Sequence, residues 1–260
     1  MTEGLGLEAA LRARRDRGGR ALVPYVTAGL PGVDAALLRE LEDAGADAIE
    51  IGIPFSDPVM DGGVIQQASQ IALEAGTHPQ DAFALAAEAS LGIPIAVMTY
   101  VNPVFRIGYE AFLREAVASG IRATIVPDLP VDEADTWVRA SEAAGSEPVF
   151  LVAPGEPAER LKRTVELTRG FVYCVSSYGV TGARSDLSDT AQEVVEGLRP
   201  LTDLPLLVGV GITTPDHARQ ASGFSDGVIV GSAIVRRLVE GDREGAVALA
   251  LEFRAALPTG

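Results

Sequence analysis

Three acidic residues crowd the stretch AIEIGIPFSDPVMDGG, residues 48–63: Glu50, Asp57 and Asp61. Ile49, Ile51 and Ile53 alternate there with Ala48, Glu50 and Gly52, which is the period of two of a β-strand. The bulky row would pack against helices. The other row is small apart from one carboxylate, and a strand buried on both faces seldom carries a charge without a reason. Pro54 and Pro58 then break the strand into a loop that bears Asp57 and Asp61. Carboxylates held partly out of water have their pKa raised toward neutrality, which suits proton transfer in both directions. The same residues also fit a structural ion pair plus an Asx turn at Ser56-Asp57-Pro58, and the residues alone leave both readings open.

Other chemistries lack their residues. The sequence holds one lysine, Lys162, two histidines, His78 and His217, and one cysteine, Cys174. A Schiff base needs a lysine in the site, and Lys162 lies in AERLKRTVEL, a charged helical pattern suited to an outer surface. The same fact argues against covalently held pyridoxal phosphate in this chain. A metal centre needs several converging ligands. His78 precedes Pro79 in a connection and His217 falls in a polar helix, so neither is expected to join a cluster. Cys174 falls on a strand with no histidine near it in sequence. What remains is acid–base chemistry by carboxylates with help from hydroxyls. If a carbon–carbon bond breaks that way, the substrate must supply its own electron sink, and an indole ring does so once protonated at C3.

A net charge of −15 argues against nucleic acid as a partner. No apolar run approaches the roughly 20 residues of a membrane span. The first residues, MTEGLGLEAALRARRDRGGR, read as an amphipathic helix without the apolar region of a signal peptide. A lone cysteine permits no intrachain disulfide and fits a cytoplasmic location.

The elements that would position Glu50 and Asp61 alternate along the chain. Strand patterns cover residues 21–29, 47–53, 93–100, 123–128, 147–153, 170–177, 204–210 and 226–232. Helical patterns cover residues 34–44, 63–75, 79–90, 109–119, 132–143, 157–167, 188–198 and 215–221, with further helix to the end. Alternating β and α implies a parallel sheet, and eight units in about 250 residues match a (β/α)8 barrel. The expectation is one (β/α)8 TIM barrel domain over residues 1–260 with an extra N-terminal helix. A doubly wound sheet is the alternative. It would more often have fewer strands and a glycine fingerprint, and the turn Ala28-Gly29-Leu30-Pro31-Gly32 has none. In a barrel the strand C-terminal ends and their loops form the catalytic face. That gathers Glu50, Asp61, Asp128, Tyr173 and Thr181 at one end.

Two glycine-bearing turns come late, Gly209-Val210-Gly211 after strand seven and Gly231-Ser232 after strand eight. Glycine lets the backbone approach a ligand closely, and Gly231-Ser232 would open a helix whose first amides favour an anion. Loops seven and eight are the usual phosphate site of a barrel. Tight turns alone would also explain the glycines. No Lys or Arg lies in either turn, so the grip would come from amides and hydroxyls.

IEIGIPFSDPVMDG (49–62), TYVNPVF (99–105), IVPDLPVDE (125–133), YGVTG (178–182), GVGITTPDHA (209–218) and GVIVGSAIV (227–235) together resemble the tryptophan synthase alpha chain. The resemblance implies a lyase that cleaves indole-3-glycerol phosphate to indole and glyceraldehyde 3-phosphate, with no cofactor in this chain. It implies that Glu50 is the acid/base at indole C3 and the glycerol hydroxyl. It makes Asp61 the carboxylate that accepts the indole N–H, and Tyr173 the lumen tyrosine near the glycerol chain. Tyr25, Met98, Ile125 and Leu151 fall where the family lines the indole pocket, and Tyr100 falls among its substrate-binding residues. Gly182, Gly209, Gly211, Gly231 and Ser232 fall on the phosphate site, and Thr181 would close over Asp61. The implied partner is a beta chain that carries pyridoxal phosphate, in an alpha2-beta2 assembly.

The chain departs from the family where Gly63 and Val64 replace a common Pro-Thr, in the loop that touches the beta chain, and where Val210 replaces the phenylalanine of some members. Other readings are a stand-alone lyase, a non-catalytic activator of a beta chain, and an isomerase or synthase on a related barrel. Retention of Glu50 and Asp61 speaks against the activator, because binding alone needs no inward carboxylate.

Overall fold

The structure is a computed structural model that describes residues 6–175 and 189–260. After α1 (Leu7–Asp16), the chain runs β1 (Ala21–Thr27), α2 (Ala35–Asp43), β2 (Ile49–Gly52), α3 (Gly63–Glu74), α4 (Pro79–Ala89) and β3 (Ile95–Met98). It continues with α5 (Val101–Ile107), α6 (Tyr109–Ala118), β4 (Ile121–Ile125), a 3-10 turn (Val131–Glu133), α7 (Asp135–Ala144), β5 (Glu147–Val149) and β6 (Leu151–Val152). The rest is α8 (Ala158–Leu167), β7 (Val172–Cys174), α9 (Asp189–Leu198), β8 (Leu206–Val208), α10 (Pro215–Ala221), β9 (Gly227–Val230), α11 (Ser232–Val239) and α12 (Arg243–Ala256).

All strand pairs are parallel, in the order β5-β4-β3-β2-β1-β9-β8-β7-β6. The two ends of that order, β5 and β6, are separated in sequence only by Phe150. They are halves of one strand: β5 pairs with β4 and β6 pairs with β7, so this strand closes the ring. The expected eight-stranded barrel is therefore present, with its fifth strand interrupted at Phe150.

Two apolar clusters divide the molecule as the alternation in β2 requires. Ile49, Ile51 and Ile53 join the outer cluster between strands and helices. Ala48 joins the lumen cluster with Ala21, Val23, Ala96, Ala123, Ile125, Val149, Phe171, Leu207 and Ile229. Small residues at the start of the strands leave room for α1, whose Leu7 and Leu11 are buried in the same cluster and plug the N-terminal end. The helices carry local start signals. Asp34 accepts a bond from the Leu37 amide at 2.8 Å ahead of α2, and Thr214 accepts one from His217 N at 3.2 Å ahead of α10.

Boundaries differ from the periodic reading mainly at the strand ends. The strand expected over 21–29 stops at Thr27, because Gly29 turns the chain at φ +78°. An apolar run does not mark where a ladder ends. Helix α5 has no counterpart in the sequence reading. It is short and contains Pro103, which sits in the first turn where a missing N–H is tolerated. Its start is held from the turn after β4, since the Val101 amide donates to Asp128 Oδ1 at 2.8 Å.

Candidate active site

Glu50 projects from the middle of β2 into the barrel and is 1% exposed. Its Oε2 has no hydrogen-bond partner among the described residues. Burial, and then the nearby charge of Asp61, push its pKa up to about 8. An unpartnered buried carboxylate oxygen is costly and calls for a functional account. The structural ion pair that the sequence left open is absent at Glu50 among the described residues. Asp57 is exposed and its carboxylate accepts the Ser56 hydroxyl at 2.7 Å, while the Val59 amide bonds the Asp57 backbone carbonyl at 2.9 Å, so the turn there closes through the backbone and not through the Asx side chain.

Asp61 stands half-buried in the loop after β2. Burial raises its pKa to about 6, against the pull of the Tyr100 hydroxyl, which stabilises the charged form. Tyr100 also fixes the loop: its oxygen accepts the Met60 amide at 3.0 Å, and its ring stacks on Phe55 at 5.2 Å. Further turns hold Asp61 N to Pro58 O at 3.0 Å and the Gln66 side chain to Asp61 O at 2.9 Å. Asp61 is thus a loop residue with a defined backbone. Asp128, expected among the polar residues of this end, is taken up by the start of α5.

Two more tyrosines enclose the carboxylates. Tyr25 is the register partner of Glu50 on β1, and Tyr173 projects from β7. Burial raises both hydroxyl pKa values well above the ordinary one, and the charges of Glu50 and Asp61 add to it, so both phenols are neutral donors. Each hydroxyl occupies a notch left by a glycine. A Cβ on Gly52 would stand 1.9 Å from the Tyr25 hydroxyl, and one on Gly209 would stand 2.2 Å from that of Tyr173. Gly209 is therefore required by a neighbouring side chain, a reason that the phosphate reading of the sequence did not supply. Met98, Ile125, Leu151 and Tyr173 meet in the lumen cluster and form an apolar wall.

Gly209 and Gly211 follow β8, while Gly231 and Ser232 follow the adjacent β9. Gly231 is the N-cap residue of α11 and offers no side chain to its amides. A Cβ there would lie 3.7 Å from Tyr25, so this turn borders the tyrosine end of the site. Thr181 and Gly182 lie outside the described residues. Lys162 is exposed on α8, and among the described residues no three His, Cys, Asp or Glu side chains form a metal-sized group. His217 lies on α10, in the helix expected for it, and its ring makes contacts that the sequence reading did not indicate. Its Nδ1 lies 3.0 Å from the Gly211 carbonyl and 3.2 Å from the Thr213 hydroxyl. The signal was its position at the third residue of a helix opened by Thr214-Pro215.

The family profile described as "Tryptophan synthase alpha chain" matches residues 11–256. The chain belongs to the tryptophan synthase alpha chain family. It is 44% identical over 235 residues to the tryptophan synthase alpha chain of Rippkaea orientalis, covering 88% of each chain. It is 43% identical to that of Mycobacterium avium, covering 94% of this chain and 91% of the relative. A structure of Mycobacterium tuberculosis tryptophan synthase superposes with a TM-score of 0.92 at 41% identity, covering 99% of this chain and 100% of that one. An alpha subunit from Legionella pneumophila superposes with a TM-score of 0.87 at 31% identity, over 96% of this chain and 97% of its own. Against the family pattern, Gly63 is the first residue of α3 and has open space where a Cβ would stand. Its backbone is not in the left-handed region, so nothing local demands glycine there.

Proposed function

We propose that this chain, as one barrel domain, cleaves indole-3-glycerol phosphate to indole and glyceraldehyde 3-phosphate by acid–base chemistry of Glu50 and Asp61, as the alpha subunit of tryptophan synthase. The observation that carries the division of labour is the order of the two carboxylates: the fully buried Glu50 sits at about 8 and Asp61 at about 6. Near pH 7 Glu50 holds a proton and Asp61 is ionised, an acid and an acceptor in one mouth.

Protonated Glu50 gives its proton to indole C3, and the ring becomes an indoleninium cation. Asp61 accepts a hydrogen bond from the ring N–H and balances that charge. The Glu50 carboxylate then takes the proton of the adjacent glycerol hydroxyl. The C–C bond electrons return to the ring, the hydroxyl carbon becomes the aldehyde, and Glu50 ends protonated as it began. Neutral Tyr173 faces the glycerol chain, and Tyr25, Met98, Ile125 and Leu151 contact the ring. Backbone amides after β8 and at the start of α11 hold the phosphate. The scheme draws on no cofactor of this chain, and pyridoxal phosphate belongs to the beta chain.

The beta chain would dock on the C-terminal face. Val59, in the Asp61 loop, is 74% exposed, and Phe105, on α5, is 72% exposed. Exposed large apolar side chains at a mouth fit a partner surface. Among the described residues no helix is long and apolar enough to cross a membrane, and we place the chain in the cytoplasm. The test is indole release from indole-3-glycerol phosphate by the purified chain, with and without a beta chain. Slow release that accelerates strongly with the beta chain supports the subunit. Fast release alone favours a stand-alone lyase, and no release with bound substrate overturns the catalytic reading.

A further inference from the structure

We propose that His217 is a positioning residue for substrate: it fixes the turn after β8 so that the turn's amides meet the phosphate. This rests on the proposed placement of the phosphate at Gly211 and Gly231. His217 stands in the first turn of α10 and reaches back over the loop that precedes it. Its Nδ1 is 3.0 Å from the Gly211 carbonyl, an atom that can only accept. The tautomer that makes this bond therefore carries its proton on Nδ1, as a donor. The Thr213 hydroxyl at 3.2 Å and the Thr213 amide at 3.4 Å approach the same nitrogen. The amide could bond it only in the opposite tautomer, and the shorter Gly211 contact at 3.0 Å selects the protonated Nδ1. The helix answers in kind, because His217 N donates to Thr214 Oγ1 at 3.2 Å. Side chain and backbone of His217 thus bind the loop reciprocally, in the manner of a capping box.

The bond matters because of where it falls. Gly211 has φ +92° and no side chain, so nothing within the residue restrains its rotation. In a planar trans peptide, a carbonyl and the following N–H point in opposite directions. Holding the Gly211 carbonyl against α10 therefore holds the Ile212 N–H away from α10. A turn fixed in this way meets an anion without first being ordered, which keeps the entropy of ordering out of binding. The phosphate is remote from the bond that breaks. Losing the restraint should weaken substrate and transition state alike, which raises KM and spares kcat.

The experiment compares His217→Ala, His217→Gln and Gly231→Asp with the parent protein. It measures kcat and KM for indole-3-glycerol phosphate and the Kd of glycerol 3-phosphate by calorimetry. One neutral hydrogen bond predicts a rise of about threefold to tenfold in KM and Kd for His217→Ala, with kcat within about twofold. His217→Gln, whose amide N–H can reach the same carbonyl, should recover most of the loss. Unchanged KM and Kd in His217→Ala, while Gly231→Asp weakens glycerol 3-phosphate, overturns the role of His217 alone. A loss that glutamine does not repair, or one confined to kcat, overturns it too. If Gly231→Asp leaves the Kd untouched, the phosphate placement itself falls, and this inference with it.

Discussion

Asp47, just before β2, and Glu50, within it, stand three residues apart. Asp47, at the N-terminal end of the barrel, is surrounded by donors. Its Oδ2 accepts the Leu22 amide at 2.9 Å and Arg254 at 3.0 Å, and its Oδ1 lies 3.0 Å from Arg14. Those partners come from α1, β1 and α12, so one carboxylate ties both termini of the chain to the sheet. Glu50 is more deeply buried, and its Oε2 meets no donor among the described residues. One charge is spent on holding the fold together, and the other is left free for chemistry. The N-terminal end is closed by Leu7 and Leu11, whereas the C-terminal end is enclosed by tyrosines and loops. Stability and reactivity are thus separated along the barrel axis, as the fold generally arranges them.

The sharpest way to break this contrast is Glu50→Gln. General acid–base catalysis is worth roughly 10²–10⁴, so kcat should fall by that factor in steady-state assays. The same variant should be more stable than the parent at pH 8, by roughly 1–3 kcal/mol in thermal or denaturant melts. The sign follows from linkage. A carboxylate moved from about 4.5 to about 8 binds more protons folded than unfolded between those values. Stability therefore declines as pH rises through that window, and glutamine removes the decline. Near-parent activity in Glu50→Gln would end the catalytic assignment.

Asp47→Ala should do the opposite. It leaves Arg14 and Arg254 facing one another without a counter-charge. A loss of about 2–4 kcal/mol is expected on melting, with kcat/KM within twofold at 25 °C. A large loss of activity in the folded variant would show that the two ends are coupled. A milder probe is the pH profile of kcat/KM, which should be bell-shaped. Its acid limb reports Asp61 at about 6 and its alkaline limb Glu50 at about 8. A profile flat from pH 5 to 9 would remove the acid and acceptor roles together. The smallest effect belongs to Gly63→Ala. Alanine fits the open space at the start of α3 and restricts the unfolded chain, so a gain of about 0.4–1 kcal/mol is expected from melts.

Much of the site was legible in β2 itself. The alternation around Glu50 told which way it points, because side-chain direction in a strand follows from position alone. Gly209 was legible as a glycine but not for its reason, which is the hydroxyl of a tyrosine 36 residues earlier, Tyr173. The contacts of His217 were not legible, because its nearest partner is the Gly211 carbonyl and a backbone atom leaves no mark in a sequence. Tyr100 could be placed near substrate by resemblance, yet its bond to the Met60 amide depends on how the loop folds back.

By itself the sequence determined the eight alternating units, the inward carboxylate and the glycine-bearing turns after the last two strands. These depend on period, turn residues and side-chain volume, which act over a few neighbours. Only the tertiary structure decided that the ring closes across Phe150, that Asp47 is surrounded by donors while Glu50 is not, and that Glu50 is the weaker acid of the catalytic-face pair. Closure and proton affinity depend on what distant segments bring to a point in space, and desolvation there is a property of the assembled barrel.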